Sequence, residues 1–171
     1  VSGAASIDPA ALRAAITALL AREATLTLAT TGADGKPWAA TVFFAADDAL
    51  TLFFVTDPRT RHGRDLAADA RVAGTVQPAV RTWDDVLGVQ LEGRARVLEG
   101  AAREHALACY LAKFPDVARL FAAPRNDGER LIGERLRKTA FWGLAPDFLR
   151  LVDNARGFGW KGELRLAPAA G

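Results

Sequence analysis

The apolar positions of this chain change their period several times, and each change marks an element. Leu12, Ala15, Ile16, Leu19 and Leu20 recur at helical spacing, so residues 9–22 are predicted to form an amphipathic helix. Asp8 is a good N-cap for it, and Pro9 suits its first position. At Thr25 the period falls to two. Thr25–Thr31 alternates threonines with Leu26 and Leu28, which reads as a half-buried strand. Ala33-Asp34-Gly35-Lys36 is a hairpin turn, Pro37–Ala46 a second strand, Asp47-Asp48 a second turn, and Leu50–Thr56 a third strand rich in Phe and Val. Residues 61–69 read as a short helix and Arg71–Gln77 as another strand.

The second half is longer-ranged. Val86–Glu99 is a long strand with Val89, Leu91, Gly93, Ala95 and Val97 on one face and Gln90, Glu92, Arg94 and Arg96 on the other. Gly88 and Gly93 give it room to bend. Residues 101–113 are predicted helical, ending before Phe114-Pro115. Residues 116–138 are Arg-rich and interrupted by Pro124 and Asn126-Asp127-Gly128, which predicts helical turns and loop. Thr139–Leu144, Phe148–Asp153 and Phe158–Leu166 complete the strands, with turns at Ala145-Pro146-Asp147 and Asn154–Gly157. Six or seven antiparallel strands with helices outside them predict a mainly β, α+β chain folded as a small barrel.

Composition narrows the class without naming a chemistry. The 171 residues are expected to form one domain over 1–171, its core about 10–166, with half of the residues apolar and a quarter charged. A net charge of +2 gives no reason to expect nucleic acid, and no apolar run is long enough to span a membrane. Val1–Ser6 lacks the basic start and apolar block of a signal peptide, and one cysteine allows no internal disulfide, so a reducing cytoplasm is the expected compartment.

Most catalytic patterns are missing. There is no Gly-x-Gly-x-x-Gly after a strand, no Walker-type loop and no serine in a nucleophile elbow. His62 and His105 are the whole histidine supply; His105 reads as a surface residue and Cys109, on the same helix, as a buried structural thiol. An enzyme built this way draws its chemistry from a cofactor. The informative segment is Val55–Val76. Thr60 is an N-cap residue, and Arg61, His62 and Arg64 follow at once. Three basic side chains at a helix start have the wrong sign for the helix dipole, and a bound phosphate offsets that cost. An ordinary basic surface turn is the competing reading.

Gly35-x-Pro37-Trp38-Ala39-Ala40-Thr41, then Leu52-Phe53-Phe54-Val55-Thr56, then Thr60-Arg61-His62 with Leu66 and Arg71-Val72 resemble the FMN-binding split barrel of the pyridoxamine 5′-phosphate oxidase superfamily. Ala73-Gly74-Thr75-Val76, Gly88-Val89-Gln90-Leu91-x-Gly93, Phe114-Pro115 and Asp153-Asn154-x-x-Gly157-Phe158-Gly159 are similar to a small bacterial branch of it that has long been called uncharacterised. The resemblance runs over roughly residues 10–165 and rests on the order of these pieces. It implies a homodimer with FMN in a cleft between subunits. The backbone of Ala39, Ala40 and Thr41 would face the ring edge, Val55 and Thr56 the ribityl chain, and Thr60, Arg61 and His62 the phosphate. Gln90 would match a glutamine supplied by the partner. Trp142 would match an aromatic that closes the flavin pocket, unless Phe141-Trp142 is simply core.

Two departures matter. The oxidase proper usually carries Lys where His62 stands, and its Arg-x-His-x-Arg-like substrate segment is replaced by Asp153-Asn154 and a Gly-rich hairpin. The second argues against oxidation of pyridoxamine phosphate itself. Asn154 either faces the site or serves the turn. The resemblance therefore implies a flavin-dependent oxidoreductase acting on a small molecule. The alternative is a non-catalytic protein that binds or stores a flavin or haem-derived ligand, with deazaflavin a further cofactor choice. Nucleic-acid binding through 119–137 is disfavoured, because Asp127, Glu129 and Glu134 interrupt the arginines and no aromatic follows Phe121.

Overall fold

The computed structural model describes residues 7–167. Val1–Ser6, where a signal-peptide pattern is missing from the sequence, lies outside them. The elements in chain order are α1 (Pro9–Arg22), β1 (Thr25–Thr31), β2 (Pro37–Ala46), β3 (Leu52–Val55), α2 (Arg61–Ala68), β4 (Arg71–Val76), β5 (Leu87–Val97), α3 (Gly100–Lys113), α4 (Pro115–Ala122), α5 (Asp127–Lys138), β6 (Phe141–Asp153) and β7 (Lys161–Arg165). Every strand pairing is antiparallel, in the order β3-β2-β1-β4-β5-β6-β7, and β3 also pairs with β6. Six strands thus close a barrel and β7 extends it. The expected architecture is present.

The barrel closes around leucine and phenylalanine. Leu28, Phe44, Phe54, Leu91, Leu144 and Leu149 fill it, and α1 adds Leu12, Ile16, Leu19 and Leu20 to the same cluster. The hairpin turn forms as predicted: Gly35 takes φ +76°, and Lys36 N–H donates to Asp34. On the outside, α3 lays Ala106 and Tyr110 against Ala45, Phe53 and Phe141 in a second apolar cluster. Lys113 at the end of α3 caps α1, its Nζ donating to the carbonyls of Leu20 and Glu23 at 2.7 and 2.6 Å. Burial pulls that amine down to about 8, and the face of Phe44, 3.9 Å away, favours its charge.

Four boundaries differ from the sequence reading. β6 runs unbroken through Ala145-Pro146-Asp147, where a turn was predicted. A bulge opposite Glu92 and Gly93 lets it pass, leaving Asp147 unpaired with β5. Gly93 is needed there, since a Cβ would stand 2.3 Å from the Ala145 carbonyl. Residues 116–138 are two helices: Pro115 opens α4, and Asn126 caps α5 by accepting from Glu129 N–H. The third strand starts at Leu52 because Leu50 adopts φ +67° in a turn held by Asp47. The last strand starts at Lys161, after two glycines of positive φ at 157 and 159.

Candidate functional site

Of the buried polar side chains Thr30, Thr56 and Asp65, the last is on α2 and the first two bond to α2, in a molecule whose other buried side chains are overwhelmingly apolar. Burying such groups is costly unless each is bonded. Thr30 donates to Asp65 at 2.9 Å. Thr56 Oγ1 lies 2.6 Å from His62 Nε2 and 3.3 Å from Thr60 Oγ1. Thr60 in turn donates to the Asp57 carbonyl at 2.7 Å and accepts from Gly63 N–H at 3.1 Å, which is the predicted N-cap. The end of β3 and the start of α2 are therefore tied into one knot of short polar bonds. α2 leaves the backbone N–H groups of its first turn without intrahelical partners.

Sequence reasoning missed a residue that builds this knot. Gly63 sits at the third position of α2, where a Cβ would stand 2.5 Å from the Asp57 carbonyl and 2.8 Å from Pro58 Cα. Only glycine lets the 57–58 loop lie on the helix start. Its signal was present: a glycine inside an eight-residue helix has no helical advantage. Arg61 pairs with no carboxylate among the described residues. Its guanidinium lies 4.4 Å from the centre of the Trp38 ring on β2. Beside it opens a pocket of about 370 Å³ lined by Gly32, Asp34, Lys36, Arg61, Arg64 and Asp65.

Burial pushes His62 below its ordinary value of 6.5, and the charge of Asp65 partly opposes that. The imidazole is neutral at neutral pH, with one N–H to give. The Thr60 hydroxyl proton is given to Asp57 and Gly63 N–H to Thr60, so the groups left to face a ligand are the Arg61 guanidinium, the His62 ring and the remaining N–H groups of the helix start, with Thr56 and Thr60 positioning them. Donors of this kind at a helix start suit an anion.

The other expected site residues are placed as follows. Val55 is half-buried at the end of β3, beside Thr56. Ala39, Ala40 and Thr41 continue β2 from Trp38. Ala39 and Thr41 are exposed, and Phe43 beyond them is 58% exposed. Gln90 is on the outer face of β5, opposite Thr75 and accepting from Arg150 at 3.4 Å. Its side chain makes no hydrogen bond to an α2 residue among the described residues. Trp142 is inside the barrel, 3% exposed and stacked on Phe54, its indole N–H without a partner, so it occupies a core position in this chain. Asn154 serves the turn: its amide donates to the Trp83 carbonyl at 2.6 Å and accepts from Gly159 N–H at 3.0 Å. Cys109 lies 3.7 Å from His105, and burial and Asp47 push its thiol up, away from a nucleophile.

Geometry and comparison agree on kinship. The pyridoxamine 5′-phosphate oxidase family model matches residues 12–143. The chain belongs to that family. Within it, the chain is 35% identical over 129 residues to the UPF0306 protein YhbP of Salmonella paratyphi B, covering 75% of this chain and 76% of the relative. Among solved structures it is similar to a heme binding protein from Mycobacterium smegmatis, with TM-score 0.68 and 22% identity over 94% of this chain and 60% of that one. It is also similar to HutZ, the heme storage protein from Vibrio cholerae, with TM-score 0.59 and 17% identity over 83% of this chain and 91% of that one. At such identities these likenesses show the fold. No helix among the described residues is long and apolar enough to cross a membrane.

Proposed function

We propose that this member of the family is an FMN-binding protein and a flavin-dependent oxidoreductase acting on a small molecule. The observation that carries the reading is the gathering of Thr56, Thr60, Arg61 and His62 at the start of α2, in a donor set suited to a phosphate monoester. Arg61 and His62 would hold the phosphate and Val55 and Thr56 the adjoining chain. The small side chains of Ala39, Ala40 and Thr41 would admit a flat ring against β2. Bound FMN would supply hydride and electron transfer. No titratable side chain lies among Ala39, Ala40 and Thr41, so the protein's part there is to position and to exclude water. The exposed Phe43, on the same outward face of β2 as Ala39 and Thr41, supports a homodimer that covers that face, with Gln90 supplied across the interface.

A non-catalytic flavin- or haem-binding protein is the second reading, favoured by the structural likeness to proteins described as heme binding and heme storage. Titration of the apo-protein with FMN, followed by visible absorption beside Arg61→Ala, tests the flavin, and turnover of the bound flavin with a nicotinamide donor separates the oxidoreductase from the non-catalytic protein. Saturable binding that Arg61→Ala weakens about tenfold or more supports the flavin reading. Haem binding without FMN binding supports the second.

A further inference from the structure

A second concentration of positive charge lies away from Arg61, in a cleft of about 930 Å³ between the 57–59 loop, the junction of β5 and α3, and the C-terminal end of α5. Arg59, Arg103, Arg135, Arg137 and Lys138 line it, against Asp57 and Glu99. Arg59 is neutralised locally by Asp57, at 2.6 Å. The other four cations make no ion pair with a carboxylate among the described residues.

Two of those four are held in place by neutral groups. Arg103 donates to the Arg137 carbonyl at 2.6 Å and lies 5.3 Å from the centre of the Phe141 ring. Arg137 donates to the Phe121 carbonyl at 2.7 Å and lies 4.7 Å from that ring's centre. A carbonyl and an aromatic face fix a guanidinium without cancelling its charge, and they leave further N–H donors to offer. Elsewhere the same side chain is used differently: Arg71, Arg119, Arg150 and Arg156 are closed on carboxylates. Part of the positive charge at the end of α5 complements its helix dipole. That does not account for Arg103, which comes from α3 and enters the same cleft. Concave walls concentrate the field of like charges, and pre-positioned arginines lose little freedom on binding. The cleft exceeds one inorganic phosphate in volume, and its floor of Val97, Leu98 and Ala140 is apolar.

We propose that this cleft is a second anion-binding site, for a small molecule that carries a pyrophosphoryl or clustered phosphoryl group and rests an apolar part on Val97 and Leu98. It shares the 57–59 loop with the start of α2 but is lined by none of Thr56, Thr60, Arg61 or His62, and it stands whether or not the flavin reading does. The test is calorimetric titration of the full chain with inorganic pyrophosphate in an Arg61→Ala background, which disables the first site. Saturable one-to-one binding is expected. Adding Arg135→Ala and Lys138→Ala weakens it about tenfold or more. Neither side chain makes a hydrogen bond or ion pair among the described residues, and circular dichroism checks that folding is kept. The same pair of substitutions in an otherwise unchanged chain leaves FMN binding as it was.

The proposal is overturned by no saturable pyrophosphate binding in the Arg61→Ala background, by binding indifferent to Arg135 and Lys138, or by loss of FMN binding with them. The last makes the cleft part of the flavin site. Pyrophosphate displaced by a single-stranded oligonucleotide, with steep salt dependence, also overturns it in favour of nucleic acid. Retained pyrophosphate binding in a chain that fails to bind FMN leaves this proposal standing and removes only the flavin reading.

Discussion

The inside of the barrel and the start of α2 are both buried, and they are held together by opposite means. In the barrel, Leu28, Phe44, Phe54 and Leu144 have no exposed surface and no directed bond to make. Their contribution is area removed from water and close packing, which depends on volume. At α2, Thr30, Thr56 and Asp65 are nearly as buried, yet each is placed by a partner at a defined distance. The barrel tolerates changes of identity at constant volume. The helix start tolerates changes of volume poorly and changes of donor hardly at all. The described residues concentrate their buried polarity in one place and keep the rest dry.

Substitutions sharpen this contrast in descending order of effect. Phe54→Ala opens a cavity in the barrel and is expected to cost about 3–5 kcal/mol, seen as a lower urea midpoint with unchanged slope. A cost below about 1 kcal/mol would mean that the barrel collapses around the gap and is less tightly packed than its burial implies. Gly63→Ala is next. The added methyl drives the 57–58 loop off α2, costing about 1–3 kcal/mol and weakening FMN binding with it. An alanine that lowers stability and spares FMN binding would separate the loop from the ligand site.

His62 gives a pH test. Its folded value lies below 6.5 because burial disfavours the charged form. The unfolded chain therefore takes up the proton first, and stability of the empty protein falls as pH drops below about 6.5. A bound phosphate reverses the preference by favouring the imidazolium. FMN affinity is expected to rise as pH falls through that range and to be flat above about 7.5. Fluorescence titrations from about pH 5.5 to about 8 read this out, and His62→Gln is expected to remove the slope. A slope that survives in His62→Gln belongs to another group. The smallest effect is at Arg59, 90% exposed at its side chain and paired with Asp57. Arg59→Ala is expected to leave the melting temperature where it was, since solvent screens such pairs. A clear drop would show that the 57–59 loop carries more of the fold than its exposure implies.

The sequence was most legible where one element decides its own structure. α1, β1, β2 and the turn between the two strands follow from local periodicity, Asp8-Pro9 and Gly35. Thr60 was legible as a cap for the same reason. The errors lie where a distant strand or a reused residue decides. Ala145-Pro146-Asp147 has turn chemistry, but pairing of β6 with β5 overrides it through the bulge. Pro115 and Asn126 read as breaks, though each is also a good helix opener, and the two helices they open pack on each other. The dry placement of Trp142 and the role of Gly63 depend on contacts between elements far apart in sequence.

The bulge in β6 also behaves like an inserted letter in a message read two at a time. Before it, the even-numbered Trp142 and Leu144 belong to the barrel core; after it, the odd-numbered Leu149 and Leu151 do. Asp147 is the spare letter, and it changes the phase of everything downstream. That phase carries Phe141 and Gly143 outward toward α3 at one end of the strand, and Phe148 and Arg150 outward toward solvent at the other. One strand thereby serves two neighbourhoods, and the length of the chain between Leu144 and Leu149 is fixed to the single residue.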